Sequence, residues 1–213
     1  MREKILVAVA HGSQDPRASA TVTELAAVAR ERSPGLDLRT AFLGHAPPSL
    51  PQVLGAIEAD REVTVLPLLL TAAFHSKTDI PRMLARMPQS RGPRVSYGAT
   101  LGPHPLLLGA LDRRLAEADP GAHANPGGTA VVLASAAGPA PATAVTDLLR
   151  DGAPRVVVAT YLLAPGLFAD RIRQAALAAG AAAVSPALGA CAEVVDVLLD
   201  RFAEIGSRRR TAA

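Results

Sequence analysis

The chain has 213 residues, of which 49% are hydrophobic, and 22 basic and 19 acidic side chains give it a formal net charge of +3. Three arginines at positions 208–210 account for that excess, so residues 1–206 are close to neutral, and with only 3% aromatic residues the composition argues against a nucleic-acid-binding surface. The single cysteine, Cys191, excludes an internal disulfide and favours a reducing compartment, and the first apolar run is too short to span a bilayer, so we expect a cytoplasmic protein with no membrane partner.

Apolar runs and helical patterns alternate along the first 120 residues. The run at 5–10 is short, continuous and rich in branched residues, which is typical of a buried parallel strand. Asp15, Ser49 and Asp79 are the expected N-caps of three helices. We predict strands over residues 5–10, 38–43, 63–70 and 94–99, and helices over 19–32, about 49–59, from 79 onwards and about 105–118. This alternation predicts a parallel sheet with helices on both faces.

A second, shorter unit follows a predicted linker at 121–128, a segment that contains helix breakers and has no apolar period. Beyond it we predict strands over 131–134, 156–163 and 181–184, and helices over 142–150, 168–179 and about 191–202. We therefore divide the chain into an N-terminal catalytic lobe at 1–120, the linker, a shortened C-terminal lobe at 129–206 and a basic tail at 207–213.

The two units look like copies of one repeat. Residues 10–13 correspond to 134–137, 68–75 to 161–168, and 101–102 to 188–189, and one helix–strand–helix stretch of the first copy is absent from the second. At the corresponding positions His11 is replaced by Ser135 and His75 by Phe168. We therefore expect the chemistry to reside in the first lobe.

His11 and His75 each lie just beyond a predicted strand. Ligands of parallel α/β sheets bind outside the carboxyl ends of the strands, so two histidines that leave two such strands can converge. Imidazole is a common ligand of divalent iron, cobalt, nickel and zinc. The pair therefore predicts a metal-handling site, and Gly12 with Ser13 would let the backbone approach a bound molecule closely.

Several of these segments together resemble one enzyme family. Residues 9–17 (VAHGSQDPR), 67–75 (PLLLTAAFH), 79–81 (DIP) and 101–105 (LGPHP) resemble the class II tetrapyrrole chelatases that act on sirohydrochlorin, and 161–171 (YLLAPGLFADR) resembles the degenerate repeat of their two-domain members. The resemblance implies a chelatase-like α/β fold, with two similar lobes, each a parallel sheet flanked by helices, and an active cleft between them. It also implies a substrate metal, Fe²⁺ or Co²⁺, and no permanently bound cofactor.

The family's two active-site histidines map onto His11 and His75. A neutral imidazole, with an ordinary pKa of about 6.5, can coordinate a metal ion or accept a pyrrole proton near neutral pH, so the resemblance assigns both tasks to the pair without dividing them. Arg17, Lys77 and Arg82 surround the expected mouth of the site, where cations can meet the many carboxylates of the tetrapyrrole. Of these, Arg17 and Lys77 are the predicted substrate-binding residues, together with Gly12 and Ser13.

One position departs from the family pattern. Many members carry a glutamate after the second strand, where this chain has Gly44 followed by His45. A third imidazole at His45 would replace the missing ligand, although neighbours on an extended segment point to opposite sides. Alternatively, the loss signals another metal, another tetrapyrrole or a protein that only binds.

We expect a sirohydrochlorin chelatase that inserts Fe²⁺ and releases two protons on the way to sirohaem, acting as a monomer or homodimer. The open alternatives are a cobaltochelatase of cobalamin biosynthesis and a non-catalytic homologue that binds metal or tetrapyrrole. Both iron(II) and cobalt(II) accept imidazole, so the ligand type favours neither.

Overall fold

Seven strands in the described part of the chain form two parallel sheets. The computed structural model describes residues 5–72, 75–87, 92–121 and 128–211, without the side chains of residues 75–76 and 208–211. The first sheet has the order β2-β1-β3-β4, and its strands are β1 (Ile5–Ala10), β2 (Asp37–Phe42), β3 (Glu62–Pro67) and β4 (Arg94–Tyr97). The second has the order β5-β6-β7, with β5 (Ala130–Ser135), β6 (Val156–Tyr161) and β7 (Ala183–Val184). The predicted α/β class with parallel sheets is confirmed.

Helices flank both sheets. They are α1 (Pro16–Arg32), α2 (Leu50–Gly55), α3 (Ile80–Ala85), α4 (Leu106–Ala118), α5 (Pro141–Arg150), α6 (Leu167–Ala178) and α7 (Ala192–Thr211). Two of the predicted N-caps are confirmed, because Asp15 accepts a hydrogen bond from the Arg17 amide and Ser49 forms a capping box with Gln52. None of the helices in the described segments is both long enough and apolar enough to cross a membrane.

The predicted N-cap at Asp79 is wrong. Asp79 has helical backbone angles, φ −70° and ψ −51°, and makes no side-chain capping bond. It is the last residue of a π-helical turn, His75–Asp79, that continues directly into α3. Because the helical path starts before Asp79, the amides that an N-cap would satisfy are not at this position.

Helix α7 is longer than its predicted end at residue 202 and extends through most of the predicted basic tail. Ile205 continues the apolar face and packs against the core, and Arg201 pairs with Glu204 one turn along. Strands β3 and β6 end earlier than predicted, at Pro67 and Tyr161. The apolar residues that follow these two strands leave the sheets and line a cavity described below.

The helices that cover the sheets are exchanged between the two halves of the chain. Helix α7 packs on α1 and β3 of the first sheet, and α4 packs on β6 and β7 of the second. One apolar core therefore contains residues of both halves, among them Leu6, Leu111, Ala159 and Leu198. The predicted division at 121–128 separates the strands of the two sheets but does not separate their helices; residues 122–127 of that linker lie outside the described residues.

The second sheet lacks a counterpart of β2. Strand β1 pairs with β2 on one side and β3 on the other, whereas β5 pairs with β6 alone among the described residues. On the uncovered face of β5, Val131 is 55% exposed and Leu133 is 57% exposed. This arrangement matches the helix–strand–helix stretch that the sequence of the second copy lacks.

Candidate functional site

The loop after β1 is hydrogen-bonded to the loop after β2. The Leu43 amide donates to the Ala10 carbonyl over 3.0 Å, and the Gly44 amide donates to the His11 carbonyl over 3.1 Å. Gly12 has φ +87°, a conformation that L side chains rarely adopt, and a Cβ there would overlap the Gly44 carbonyl oxygen. Glycine is therefore required for close approach of the two loops, and this approach fixes the backbone of His11.

His45 lies beside His11. The centroids of the two imidazole rings are 6.3 Å apart, and the ring planes meet at 29°. The expectation that His45 points away, as a neighbour on an extended segment would, is wrong because its backbone is left-handed, with φ +63°. The turn that follows Gly44 brings the second imidazole to the same side as the first.

The His11 ring has a defined hydrogen bond to its own loop. Its Nδ1 lies 3.1 Å from the Gly12 carbonyl oxygen. A carbonyl oxygen can only accept, so Nδ1 must be the donor and the neutral ring then carries its lone pair on Nε2. That tautomer presents Nε2 as the atom that coordinates a metal ion or receives a proton.

His75 begins the π-helical turn after β3, and its side chain lies outside the described ones. The positions on either side of it are informative. Thr71 lines a cavity between the lobes, Asp79 lines a second recess, and His11 lines both. No three His, Cys, Asp or Glu side chains among those described are arranged to hold a metal ion. The predicted ligand set of His11, His45 and His75 thus includes one imidazole that the structure does not describe.

An apolar concavity beside His11 forms a cleft between the two sheets, with a volume of about 450 Å³. Segments that correspond in the two repeats face each other across it: residues 10–12 and 68–71 from the first half, and 135–136 and 161–166 from the second. Leucine and alanine are the commonest residues of these segments. The cleft therefore suits a flat apolar ring, with His11 as a polar group on its wall.

The repeat positions that replace the two histidines also lie at this cleft. Ser135 stands at the end of β5, as His11 follows β1, and Phe168 lies in the first turn of α6. The Phe168 side chain is 52% exposed although it is apolar. The second lobe thus contributes an apolar surface opposite the imidazole of the first.

Tyr161 joins the two walls of the cleft, a role that the sequence patterns did not indicate. Its hydroxyl donates to the Leu70 carbonyl over 3.0 Å, and burial raises the pKa of the phenol above its ordinary value. Gly102 packs so closely on this pair that a Cβ there would overlap both oxygens. The only sequence signal was a tyrosine at the end of an otherwise apolar strand.

The predicted substrate-binding residues Ser13, Arg17 and Lys77 have different environments. Arg17 Nη2 lies 2.6 Å from Asp15 Oδ2 and 2.6 Å from Asp170 Oδ2 on α6, so it bridges the two lobes. These carboxylates raise the pKa of Arg17 and engage its guanidinium, while Arg17 lowers the pKa of Asp15. Ser13 Oγ accepts from the Asp15 amide over 3.0 Å, and Lys77 is exposed in the π-helical turn.

A second concavity, of about 380 Å³, opens on the other side of His11. We call it the basic recess; its lining residues are His11, Leu43, Gly44, His45, Asp79, Arg82, Met83 and Arg86. Arg82 and Arg86 stand four residues apart, which places them on one side of the helix at α3. The spacing of the two arginines was visible in the sequence. The sequence did not show which side of the helix faces the site.

Comparison with known proteins identifies the family. The CbiX family model matches residues 5–118 and 124–205. The chain belongs to the CbiX family. The resemblance to class II chelatases is therefore confirmed, and the unmatched positions between the two segments, 119–123, overlap the start of the predicted linker at 121–128. Both repeats of this CbiX protein are covered by the match.

Individual relatives of this CbiX protein are distant. A sirohydrochlorin cobaltochelatase of Methanococcoides burtonii is 26% identical in an alignment of 129 residues that covers 55% of this chain and 98% of that protein. The sirohydrochlorin chelatase SirB from Bacillus subtilis subspecies spizizenii, in complex with cobalt, superposes with a TM-score of 0.71 at 21% identity, covering 95% of this chain and 94% of its own. SirB from Bacillus subtilis with Fe³⁺ gives a TM-score of 0.69 at 20% identity, covering 95% of both chains. These structures share the two-lobed chelatase fold.

Proposed function

We propose that the protein inserts a divalent metal ion into sirohydrochlorin, with Fe²⁺ as the first candidate substrate metal, and releases two protons. The observation that carries the proposal is the position of His11, an imidazole at an apolar cleft between two lobes of a CbiX chain. Metallation needs a ring held in place, a ligand that guides the ion and a base that takes the pyrrole protons. The cleft and the two predicted histidines together provide these three elements.

The shape and polarity of the cleft support a tetrapyrrole as the ligand. A macrocycle is flat and apolar on both faces, and the cleft presents apolar residues from both sheets. Leu69 and Leu163 come from corresponding strand ends, and Phe168 extends the apolar wall on the second lobe. Burial of a ring between these walls would keep water away from the reacting nitrogens.

We propose that His11 and His75 share metal coordination and proton removal. A metal-bound imidazole stays neutral and has no lone pair left for a proton, so one histidine cannot do both tasks at once. The lone pair that the His11 tautomer carries on Nε2 suits either task. Because His45 is stacked near His11, we propose it as a third, auxiliary metal ligand in place of the family glutamate.

Cobalt is the second candidate substrate metal. The relative from Methanococcoides burtonii is a cobaltochelatase, and one SirB structure contains cobalt while another contains Fe³⁺. Imidazole ligands suit both metals, and intrinsic affinity does not determine which ion a cell supplies. A route to sirohaem follows from iron insertion, and a route to cobalamin follows from cobalt insertion.

An anaerobic insertion assay tests the proposal. Purified protein is mixed with sirohydrochlorin and either Fe²⁺ or Co²⁺, and the absorbance change is compared with the spontaneous rate. We expect His11→Ala and His75→Ala each to lower the rate by about 10²-fold or more, the scale of a lost general base. His104→Ala is the matched control, because this histidine accepts a hydrogen bond from the Leu106 amide at the start of α4 and lies outside both cavities.

Two results would contradict the proposal. If the wild-type protein inserts metal no faster than the spontaneous reaction, the protein binds metal or tetrapyrrole but does not catalyse insertion. A double His11→Ala, His75→Ala variant that inserts metal at the wild-type rate would instead refute the assignment of these two histidines to the active site. His45→Asn tests the auxiliary ligand without adding backbone strain, because asparagine tolerates the left-handed conformation at this position.

Gly44→Glu tests the missing carboxylate. A Cβ at Gly44 meets no atom within 4 Å, so the longer side chain can be accommodated. If the departure from the family pattern weakens catalysis, the variant should raise kcat. An unchanged kcat would count against a carboxylate role at this position.

A further inference from the structure

Two guanidinium groups at the basic recess have no partner among the described residues of the protein. Most arginines in the described part of the chain pair with a carboxylate or a carbonyl, as Arg17 and Arg113 do. Neither Arg82 nor Arg86 takes part in any hydrogen bond or ion pair of its side chain within the described residues, and both are exposed at the wall of the recess. With neutral imidazoles, the recess contains two positive charges and one negative charge, that of Asp79.

The recess adjoins the cleft through a single side chain. His11 lines both concavities, so a ring that contacts His11 in the cleft comes close to the recess. The cleft itself is poor in charged groups, and a carboxylate held there would lose its hydration without gaining a partner. A guanidinium, in contrast, binds a carboxylate through two parallel hydrogen bonds.

From this juxtaposition we infer that the basic recess is an anion subsite that holds a carboxylate arm of the tetrapyrrole through Arg82 and Arg86. The inference rests on the proposed function, because it takes sirohydrochlorin as the occupant of the cleft. It adds the direction in which the ring lies: one carboxylate-bearing edge faces α3, with His11 beside the anchored arm. The arm thereby limits rotation of the macrocycle within the cleft.

The proposed subsite also gives a physical reason for glycine at position 44. This residue lines the same recess as the two arginines, so a glutamate there would bring a second protein carboxylate to the recess that the arm occupies. Glycine keeps the recess positive and open. We therefore expect Gly44→Glu to raise KM for sirohydrochlorin whatever its effect on kcat.

Binding without metal separates this subsite from catalysis. Sirohydrochlorin and its fully methylated ester are titrated anaerobically into wild type, Arg82→Gln, Arg86→Gln and the double variant. Arg150→Gln is the matched control, since this arginine is a 68% exposed surface residue on α5. We expect each recess substitution to raise the Kd for sirohydrochlorin about threefold to tenfold, a range that allows for solvent screening of exposed charges.

The ester supplies the decisive comparison. Its ring is the same but its arms are neutral, so its Kd should not change in the recess variants, and added salt should weaken binding of the free acid more in wild type than in the double variant. An unchanged Kd for sirohydrochlorin in the double variant, or an equal loss for the ester, would overturn the inference. Wild type that binds sirohydrochlorin but inserts no metal would instead refute the proposed function, and that outcome is read separately in the insertion assay.

Discussion

Replacement of Gly12 by alanine tests the claim that the approach of two loops fixes His11. The structure provides a matched control in Gly35, which follows α1. Gly12 has φ +87° and Gly35 has φ +89°, so alanine suffers the same backbone strain at both positions. Only at Gly12 does the new Cβ meet other atoms, since none lies within 4 Å at Gly35.

The difference between the two variants isolates the steric effect. An L residue in the left-handed region costs about 1–2 kcal/mol, which is the expected loss in free energy of unfolding for Gly35→Ala. At Gly12 the Cβ would also lie 2.9 Å from the Gly44 carbonyl carbon and overlap its oxygen, so the backbone must move. Overpacking adds about 1–3 kcal/mol, giving a total of about 2–5 kcal/mol for Gly12→Ala.

The expected movement has a direction. The Gly44 carbonyl accepts from the Ala46 amide over 2.8 Å, and this bond closes the turn that holds His45 in its left-handed conformation. Displacement of that carbonyl should therefore separate the two imidazoles and lower the insertion rate beyond the loss of folded protein.

Urea denaturation followed by circular dichroism measures both stabilities, and the insertion assay is run well below the midpoint. Equal stabilities of Gly12→Ala and Gly35→Ala, within about 0.5 kcal/mol, would refute the steric argument. Wild-type insertion by Gly12→Ala would refute its link to His11.

Two further predictions concern contacts between the halves. Arg113, 2.6 Å from Glu193, lowers the pKa of that carboxyl from 4.5 to about 2, so the pair stabilises the fold above pH 4.5 and this contribution is lost as the pH falls towards 2. Glu193→Gln should lower Tm at pH 7 and flatten the decline of Tm between pH 4.5 and 2; a decline as steep as that of wild type would contradict the assignment. Tyr161→Phe removes the hydrogen bond to the Leu70 carbonyl and should cost about 0.5–1.5 kcal/mol in urea denaturation, whereas an unchanged midpoint would mean that another donor takes its place.

Local patterns in the sequence were sufficient to predict the strands and most helix starts. The run at Ile5–Ala10 is buried along its whole length, as its unbroken apolar character indicated, and Ser49 caps α2 as its position before a proline-containing turn predicted. These features depend on residues near one another in the chain. The local sequence pattern was therefore enough to predict these features.

Features that depend on distant partners were not predictable in this way. An apolar helix face indicates that a helix is covered, but it does not say which sheet covers it, so the exchange of α4 and α7 was not visible. The left-handed residue His45 follows Gly44, whose carbonyl oxygen lies close against Gly12, more than thirty residues earlier in the chain. The two arginines of the basic recess had a recognisable spacing, yet their orientation depends on the path of the chain between β3 and α3.

Because the covering helices are exchanged between the two halves, we expect the whole chain to unfold together. Val194, Val195, Val197 and Leu198 of α7 are completely buried against the first sheet although they lie at the far end of the sequence. Loss of one such side chain from the core costs about 1.5–3 kcal/mol, so detachment of α7 would remove about 6–12 kcal/mol from these four residues, which is comparable to the whole stability of a typical domain. Neither sheet can lose the helix that covers it while the other sheet keeps its covering helix. We therefore expect the two lobes to melt in one cooperative transition. Cutting the chain at the linker would place each sheet and the helix that covers it on different fragments, so we expect neither fragment to keep its fold without the other.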